Sequence, residues 1–171
     1  MRLTLEMLIE DESWAKHKLV SKHYIRKVAK STLNSAGWVH LPSHVSICIL
    51  LTHNAKMQEL NHNFLGINKP TNVLAFPLEN RDPRVLLSTN LVKFELGDLA
   101  LGYQIFQDEL VQYNLTLKEH FTHLIIHGIL HTLGFDHEND SDSKIMYKIE
   151  DEILEQLNIK RCIRSAYLNL K

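Results

Sequence analysis

One short run near the C-terminal end limits the possible folds of this chain more than any other stretch: His127-Gly-Ile-Leu-His131-Thr-Leu-Gly134-Phe-Asp-His137. His127 and His131 lie four residues apart, so on a helix their imidazoles share one face, about 6 Å apart at Cβ. Gly134 follows three residues later, where a glycine can adopt the left-handed conformation that ends a helix. The run therefore predicts a helix whose following turn brings His137 to the same point in space.

Three neutral imidazoles that converge in this way form a tridentate site, which suits zinc with one open coordination position. A single histidine in a chain that has 11 of them is more often a hydrogen-bonded core residue than a ligand. Three at this spacing favour a metal site, and we predict His127, His131 and His137 as ligands of one Zn²⁺ ion. Metzincin proteases share the spacing, but there the first histidine is followed by the glutamate that activates water; here that residue is Gly128. The zinc ligands of such a protease are present and its base is absent.

Length and composition are typical of one globular domain. The chain has 171 residues, of which 44% are apolar and 23% charged. This length is enough for one hydrophobic core and too short for two domains of ordinary size. It has no apolar run of membrane-spanning length, and its N-terminus alternates apolar and polar residues rather than showing a signal-peptide core. Cys48 and Cys162 lack a zinc or redox spacing, so we expect reduced thiols in a cytoplasmic protein. The net charge of -1 argues against nucleic-acid binding by bulk charge, so such a substrate needs a local basic groove.

Apolar periodicity predicts four strands and five helices. We expect the strands at residues 3–9, 45–51, 71–76 and 94–101. We expect helices from about 14 to 35, from about 54, around 105 to 113, after a capping box at Thr116–Glu119, and after a cap at Asp140 or Ser141. Residues 79–92 are predicted to form an exposed excursion. The mixed order predicts an α+β or α/β fold: a single domain, residues 1–157, with a four-stranded, mostly mixed sheet flanked by helices, and a tail, residues 158–171.

Three segments make the chain similar to one known family. They are the histidine run 127–137 with its Gly128; Glu59-Leu60-Asn61 followed by Lys69-Pro-Thr-Asn-Val-Leu74 and Phe76-Pro77; and Leu96-Gly-Asp-Leu-Ala100. With these segments the chain resembles the YbeY family of bacterial endoribonucleases over roughly residues 45 to 157. The resemblance implies a single-domain fold with a mixed four-stranded sheet, a zinc ion on the three histidines, and cleavage of single-stranded RNA. It also implies a role in ribosomal RNA maturation, notably at the 16S 3′ end, and in ribosome quality control. The implied partners are RNA and the ribosome or its proteins, with neither DNA nor a membrane among them.

Polar and aromatic residues before and within the third strand are candidates for the RNA groove. We predict that Lys69, Thr71 and Asn72 lie beside the zinc and contact substrate; the alternative is that Thr71 and Asn72 cap the loop and Lys69 is solvated. The candidate stacking platforms, each of which is an ordinary core residue in the alternative, are Phe64, Phe76 and Tyr103.

No general base is predicted. Asp136 and Glu138 flank the last histidine, but such carboxylates more often orient imidazoles or form turns. Asp98 is a further supporting candidate, with a turn or strand-end residue as the alternative.

One position departs from the family pattern. Where the family usually has a Tyr-Arg pair, three residues after Leu60-Asn61, this chain has Phe64-Leu65. A leucine cannot donate a fork of hydrogen bonds to a phosphate or stabilise its developing charge. Either Lys69 or another cation serves instead, or cleavage is weak, or the chain is a ribosome-assembly factor that binds RNA around a structural zinc. A zinc peptidase is the least favoured hypothesis, because Gly128 replaces the required glutamate.

Overall fold

The computed structural model of the chain describes residues 1–78, 82–137, 139–160 and 162. Its centre is one four-stranded sheet with the strand order β1-β2-β4-β3. The strands are β1 Arg2–Ile9, β2 His44–Thr52, β3 Val73–Pro77 and β4 Lys93–Gly102. β1, β2 and β4 run parallel, whereas β3 pairs antiparallel with β4 and forms one edge of the sheet. The mixed sheet flanked by helices confirms the predicted fold class.

Six α-helices and one 3-10 turn are described around this sheet. They are the 3-10 turn Trp14–Lys16, α1 Lys22–Ser35, α2 Asn54–Leu65, α3 Pro83–Ser88, α4 Tyr103–Gln112, α5 Leu117–Thr132 and α6 Asp140–Gln156. Side chains alternate between the two faces of the sheet, as expected for β-strands. Leu74 and Ala100 pack with Met57 of α2 on one face, while Leu99 and Leu101 belong to the main core on the other.

Helix α5 lies in the middle of that main core, against α1, α6 and the β3–β4 edge of the sheet. It is buried on nearly all sides, since Phe121, Ile125, Ile129 and Leu130 are all inaccessible to solvent. A helix enclosed in this way has little freedom to shift, so the side chains at its C-terminal end are held in fixed positions.

The predicted helix from about 14 to 35 is wrong in its first third. Helix α1 begins at Lys22, because the Ser21 side chain accepts a hydrogen bond from the Tyr24 backbone N–H at 3.2 Å and caps the helix there. Trp14 belongs to a separate 3-10 turn, is fully buried, and donates from Nε1 to the Thr52 carbonyl at 3.2 Å. Its burial therefore reflects a long-range contact and not a helical stripe.

The predicted exposed excursion at 79–92 is right for most of its described residues, such as Val85 and Val92, but wrong for a short helix within it. Residues 79–81 lie outside the described part, but α3 follows them and buries Leu86 and Leu87 against the core. The backbone of this segment is also hydrogen-bonded to the rest of the protein, since the Val39 N–H donates to the Leu87 carbonyl at 2.9 Å. Two adjacent leucines in a short polar stretch were too small a pattern to indicate a helix.

The last helix and the tail can also be compared with the prediction. The helix is capped by Asn139, whose side chain accepts from the N–H groups of Ser141 and Asp142, and so neither Asp140 nor Ser141 is the cap. Of the predicted tail, only residues 158–160 and 162 are described. Within the described part of the chain, no helix has both the length and the apolar character needed to cross a bilayer.

Candidate metal centre

The start and the end of α5 are fixed by local sequence. At its start, Thr116 Oγ1 accepts from the Glu119 N–H at 3.2 Å, and the Glu119 carboxylate accepts from the Thr116 N–H at 2.9 Å. This is the predicted capping box. At its end, Gly134 has a φ of +90° and donates its N–H to the His131 carbonyl at 3.0 Å. The chain therefore reverses at the predicted glycine, which carries His137 back over the end of the helix.

This turn brings His127, His131 and His137 together into what we call the histidine cluster. One ring nitrogen from each lies within 4.8 Å of the others, and the Nε2 atoms of His127 and His131 are 3.1 Å apart. Two nitrogens bound to the same tetrahedral zinc at 2.0–2.1 Å would be about 3.3 Å apart, so this donor set fits the ion with little movement. His127 and His131 are half-buried and His137 is exposed, so one side of the cluster is open to solvent.

The surroundings of His131 favour its neutral imidazole, which is the form that binds a metal. The pKa of His131 is lowered to about 4, first by burial and then by its neighbours His127 and His137. At neutral pH this ring is therefore uncharged and keeps a nitrogen lone pair for a ligand.

Glu150 of α6 is a supporting residue that the sequence did not reveal. Its fully buried carboxylate accepts a hydrogen bond from His127 Nδ1 at 2.7 Å. Because Nδ1 then carries the proton, the lone pair of His127 is on Nε2, the atom that faces the cluster. The signal that could have found it is a charged residue inside an apolar stripe, since Glu150 shares the buried face of α6 with Met146, Ile153 and Leu154.

Glu150 is ionised in these surroundings. Burial alone would raise its pKa, but the imidazoles of His123 and His127 outweigh burial and bring the pKa below the ordinary glutamate value. His123 Nε2 is 3.6 Å from the second carboxylate oxygen, which is long for a hydrogen bond. His123, His127 and Glu150 also form a second group with metal-ligand spacing. We interpret it as support for the first group, because the Nδ1 atom of His127 is already bonded to the carboxylate.

Gly128 of α5 packs closely against side chains of the sheet. A Cβ atom placed there would lie 2.9 Å from Leu99 Cδ2 and 3.4 Å from Val73 Cγ2. The glutamate of a metzincin protease could be accommodated at this position only by displacing Leu99. Packing thus accounts for the glycine that distinguishes this run from the protease motif.

The histidine cluster forms part of the wall of a cavity of about 1010 Å³, which we call the cleft. Lys69, Thr71 and Asn72 all line the cleft, as does the edge strand β3. The loop before β3 is held by Asn61, which is buried and donates from Nδ2 to the Lys69 carbonyl at 2.7 Å. Asn72 uses its side chain internally: its Oδ1 accepts from the Val73 N–H at 2.7 Å, and its Nδ2 donates to Glu109.

The position that departs from the family pattern also faces the cleft. Leu65 is 60% exposed and lines the cavity near the end of α2. Among the described lining residues, Lys69 is the only lysine or arginine. Phe64 is 65% exposed and meets Phe76 edge-on, with ring centroids 4.8 Å apart. Tyr103 instead hydrogen-bonds His17 at 3.0 Å, which makes it part of the packed structure.

The carboxylates considered as bases are not placed for that role. Asp136 lines the cleft, but its Oδ1 accepts from the His137 N–H at 2.6 Å and so stabilises the turn. Asp98 lines a different cavity, shared with Phe64 and Phe76, on the α2 side of the sheet. Glu138 lies outside the described residues. Glu109 of α4 and Asp82, which the sequence did not single out as bases, are the other acidic residues among the described lining of the cleft.

Comparison with known proteins shows similarity in sequence to one family and similarity in fold to a solved structure. The family model for Endoribonuclease YbeY matches residues 9–158. A relative described as Endoribonuclease YbeY, from Jannaschia sp. (strain CCS1), is 39% identical over 121 residues, which cover 69% of this chain and 76% of the relative. The solution structure of TM1509 from Thermotoga maritima matches with a TM-score of 0.57 at 24% sequence identity. That match covers 89% of this chain and 87% of the other, and the likeness concerns the fold alone.

Proposed function

Because the chain belongs to the endoribonuclease YbeY family, we propose that it is a zinc-dependent nuclease that cleaves single-stranded RNA in the cleft. The observation that carries the zinc part is the convergence of three imidazole nitrogens within 4.8 Å of one another on the cleft wall. Nucleases of this class hydrolyse or transesterify phosphate esters, and a neutral histidine set with an open side suits such chemistry.

His127, His131 and His137 would hold the ion, and Glu150 would keep His127 in the tautomer that binds through Nε2. An ion held by these residues would supply Lewis-acid chemistry, polarising a phosphoryl oxygen or activating a water molecule at neutral pH. The chain's own part is to orient the phosphate. β3 and the loop with Lys69 and Thr71 line the same cleft as the cluster, and Lys69 supplies a positive charge. Attack by water and attack by the adjacent 2′-hydroxyl are both compatible with this arrangement.

In the cell we propose that the substrate is ribosomal RNA, with maturation of the 16S 3′ end and ribosome quality control as the processes served. The ribosome or its proteins would then be the partners, and the cytoplasm the location. This part of the proposal is supported by family membership.

A matched pair of histidine variants tests the metal-dependent reaction. Purified protein, His131→Ala and the exposed α1 variant His23→Ala would be given single-stranded ribosomal RNA, with and without chelator, after metal analysis of each sample. We expect one zinc per chain and chelator-sensitive cleavage in the wild type and in His23→Ala, with both lost in His131→Ala. Equal cleavage in all three proteins, or cleavage that resists the chelator, would contradict the proposal.

A second function is favoured by one observation. The exposed Leu65 stands where the family has an arginine, and a leucine cannot stabilise charge on a phosphate. The chain could therefore act as an RNA-binding ribosome-assembly factor whose zinc is structural. Leu65→Arg separates the two: a gain of cleavage with little change in binding shows that the cleft is catalytic and the leucine costs rate. RNA binding without cleavage in both proteins favours the assembly factor.

A further inference from the structure

The cleft contains a second polar cluster, away from the histidines, made of Asn72, Glu109 and His120. His120 donates from Nε2 to Glu109 Oε2 at 2.7 Å. Asn72 Nδ2 lies 3.0 Å from both oxygens of the same carboxylate. The carboxylate is thus oriented from two sides, by a residue of α5 and by the residue that precedes β3.

Both partners are themselves fixed. His120 has no exposed surface and stacks on Phe106, with ring planes 3° apart and centroids separated by 5.2 Å. Asn72 is anchored through its Oδ1 to the backbone of Val73. The Glu109 carboxylate is therefore held in one orientation, as is required of a side chain that binds a ligand.

Glu109 has acceptor capacity left over. Each carboxylate oxygen can accept about two hydrogen bonds. Oε2 has two donors, from His120 and Asn72, while Oε1 has only the shared Asn72 donor among the described residues. The side chain is 16% exposed and Glu109 lines the cleft, so a donor on a molecule in the cleft can reach it.

The cluster is too far from the histidines to act on the reacting phosphate. His120 lies seven residues before His127 on α5, so the two rings share one helix face but are about 10 Å apart along the axis. An RNA strand that places its scissile phosphate at the histidine cluster and continues along the cleft would therefore bring a neighbouring nucleotide to Glu109, which lines the same cavity.

A carboxylate repels a phosphate, because both groups are anionic and neither has a proton to donate. In an RNA strand the donor present at every nucleotide is the 2′-hydroxyl, which DNA lacks. We propose that Glu109 is a specificity residue that accepts a hydrogen bond from the 2′-hydroxyl of a nucleotide adjacent to the cleavage site, and so helps the cleft to select RNA. The inference rests on the proposed function.

Chemically modified RNA gives a direct test. A single 2′-fluoro substitution, which removes the donor but keeps a small group, would be moved along an oligonucleotide that the protein cleaves. Both kcat/KM of the zinc-loaded protein and binding by the metal-free protein, measured by fluorescence anisotropy, would be recorded for each oligonucleotide. Because a hydrogen bond to a charged group contributes about 1.5–3 kcal/mol, one position next to the cleavage site should lose about tenfold or more in the wild type.

Glu109→Gln is the matching protein change. His120 and Asn72 would both donate to the single side-chain carbonyl oxygen of the glutamine. The amide NH2 group, which does not accept a hydrogen bond, would then occupy the position of Oε1. We expect this variant to cleave and bind the unmodified RNA more weakly, and to be indifferent to the fluoro group at that one position. The exposed neighbour Asp108→Asn, which removes the same charge from the same helix, should keep the wild-type pattern. Thermal melting of all three proteins would show whether the cluster also stabilises the fold.

The outcomes separate the two proposals. Cleavage or binding that shows no position-specific coupling between Glu109→Gln and the fluoro group overturns this inference and leaves the nuclease standing. A loss that is equal for every oligonucleotide assigns Glu109 a structural role only, and a coupling that follows base identity assigns it a base contact; both overturn the inference. A protein that neither binds nor cleaves RNA overturns both proposals.

Discussion

Replacing Glu150 by glutamine should weaken zinc binding by about 10- to 100-fold, which corresponds to about 1.4–2.7 kcal/mol. The carboxylate is fully buried and 2.7 Å from His127 Nδ1, so its hydrogen bond is charge-assisted and not screened by water. A glutamine oxygen can still accept from Nδ1, so the tautomer is kept. The negative charge that makes the imidazole a stronger donor to the metal is lost.

The assay is a competition for zinc between the metal-free protein and a chromophoric chelator of known affinity. Glu152→Gln, an exposed change on the same helix, is the control and should bind zinc like the wild type. Circular dichroism would check that both variants are folded. If Glu150→Gln and the wild type hold zinc equally well, then the carboxylate does not tune His127 and the reasoning from burial and distance is refuted.

Three further predictions concern the stability of the protein. Gly97→Ala should destabilise the protein by more than about 3 kcal/mol, because φ is +105° and the new Cβ would collide with the Phe76 carbonyl oxygen of β3. Gly37→Ala, with φ of +89° but nothing within 4 Å, should cost only the backbone strain, about 1–2 kcal/mol; equal costs in urea unfolding would contradict the role of the contact. The pKa of His131 is about 4 in the folded protein and about 6.5 in an unfolded chain, so the unfolded state binds the extra proton between these values. The free energy of unfolding of the metal-free protein should therefore rise by about 3 kcal/mol at most as the pH rises through this window, and in His131→Asn this rise should be smaller. The same pH dependence of the unfolding free energy in both proteins would contradict this prediction. Thr116→Ala should lower stability by about 1 kcal/mol through loss of the cap, seen as a fall in Tm of about 2–4 °C, and an unchanged Tm would argue against the capping box as a stabilising feature.

The sequence was informative wherever a local pattern determines the structure. The spacing of the histidines, the glycine that ends α5 and the capping box at Thr116 each depend on residues a few positions apart. The strands were equally readable, because burial on a sheet follows a period of two. The mixed fold class follows from their order and is confirmed.

The residues that support the site were hidden because their partners are distant in the chain. Glu150 meets His127 across 23 residues, and Glu109 meets Asn72 across 37. A sequence shows that a glutamate lies on an apolar helix face, but not which imidazole or amide it will face. The predicted start of α1 was wrong for a related reason. Trp14 is buried in a long-range contact, in which it donates to the Thr52 carbonyl of β2, and not against neighbours on a helix.

The narrow gap between Gly128 and Leu99 bears on how such a protein can evolve. Some glycine codons differ from a glutamate codon by a single base, so the change that would restore a protease-like motif is readily available to mutation. With Leu99 Cδ2 only 2.9 Å from where a Cβ would stand, that change would require the buried Leu99 side chain of β4 to move within a packed core. A smaller residue at position 99 would remove this contact, and two coordinated mutations are a far rarer event than one.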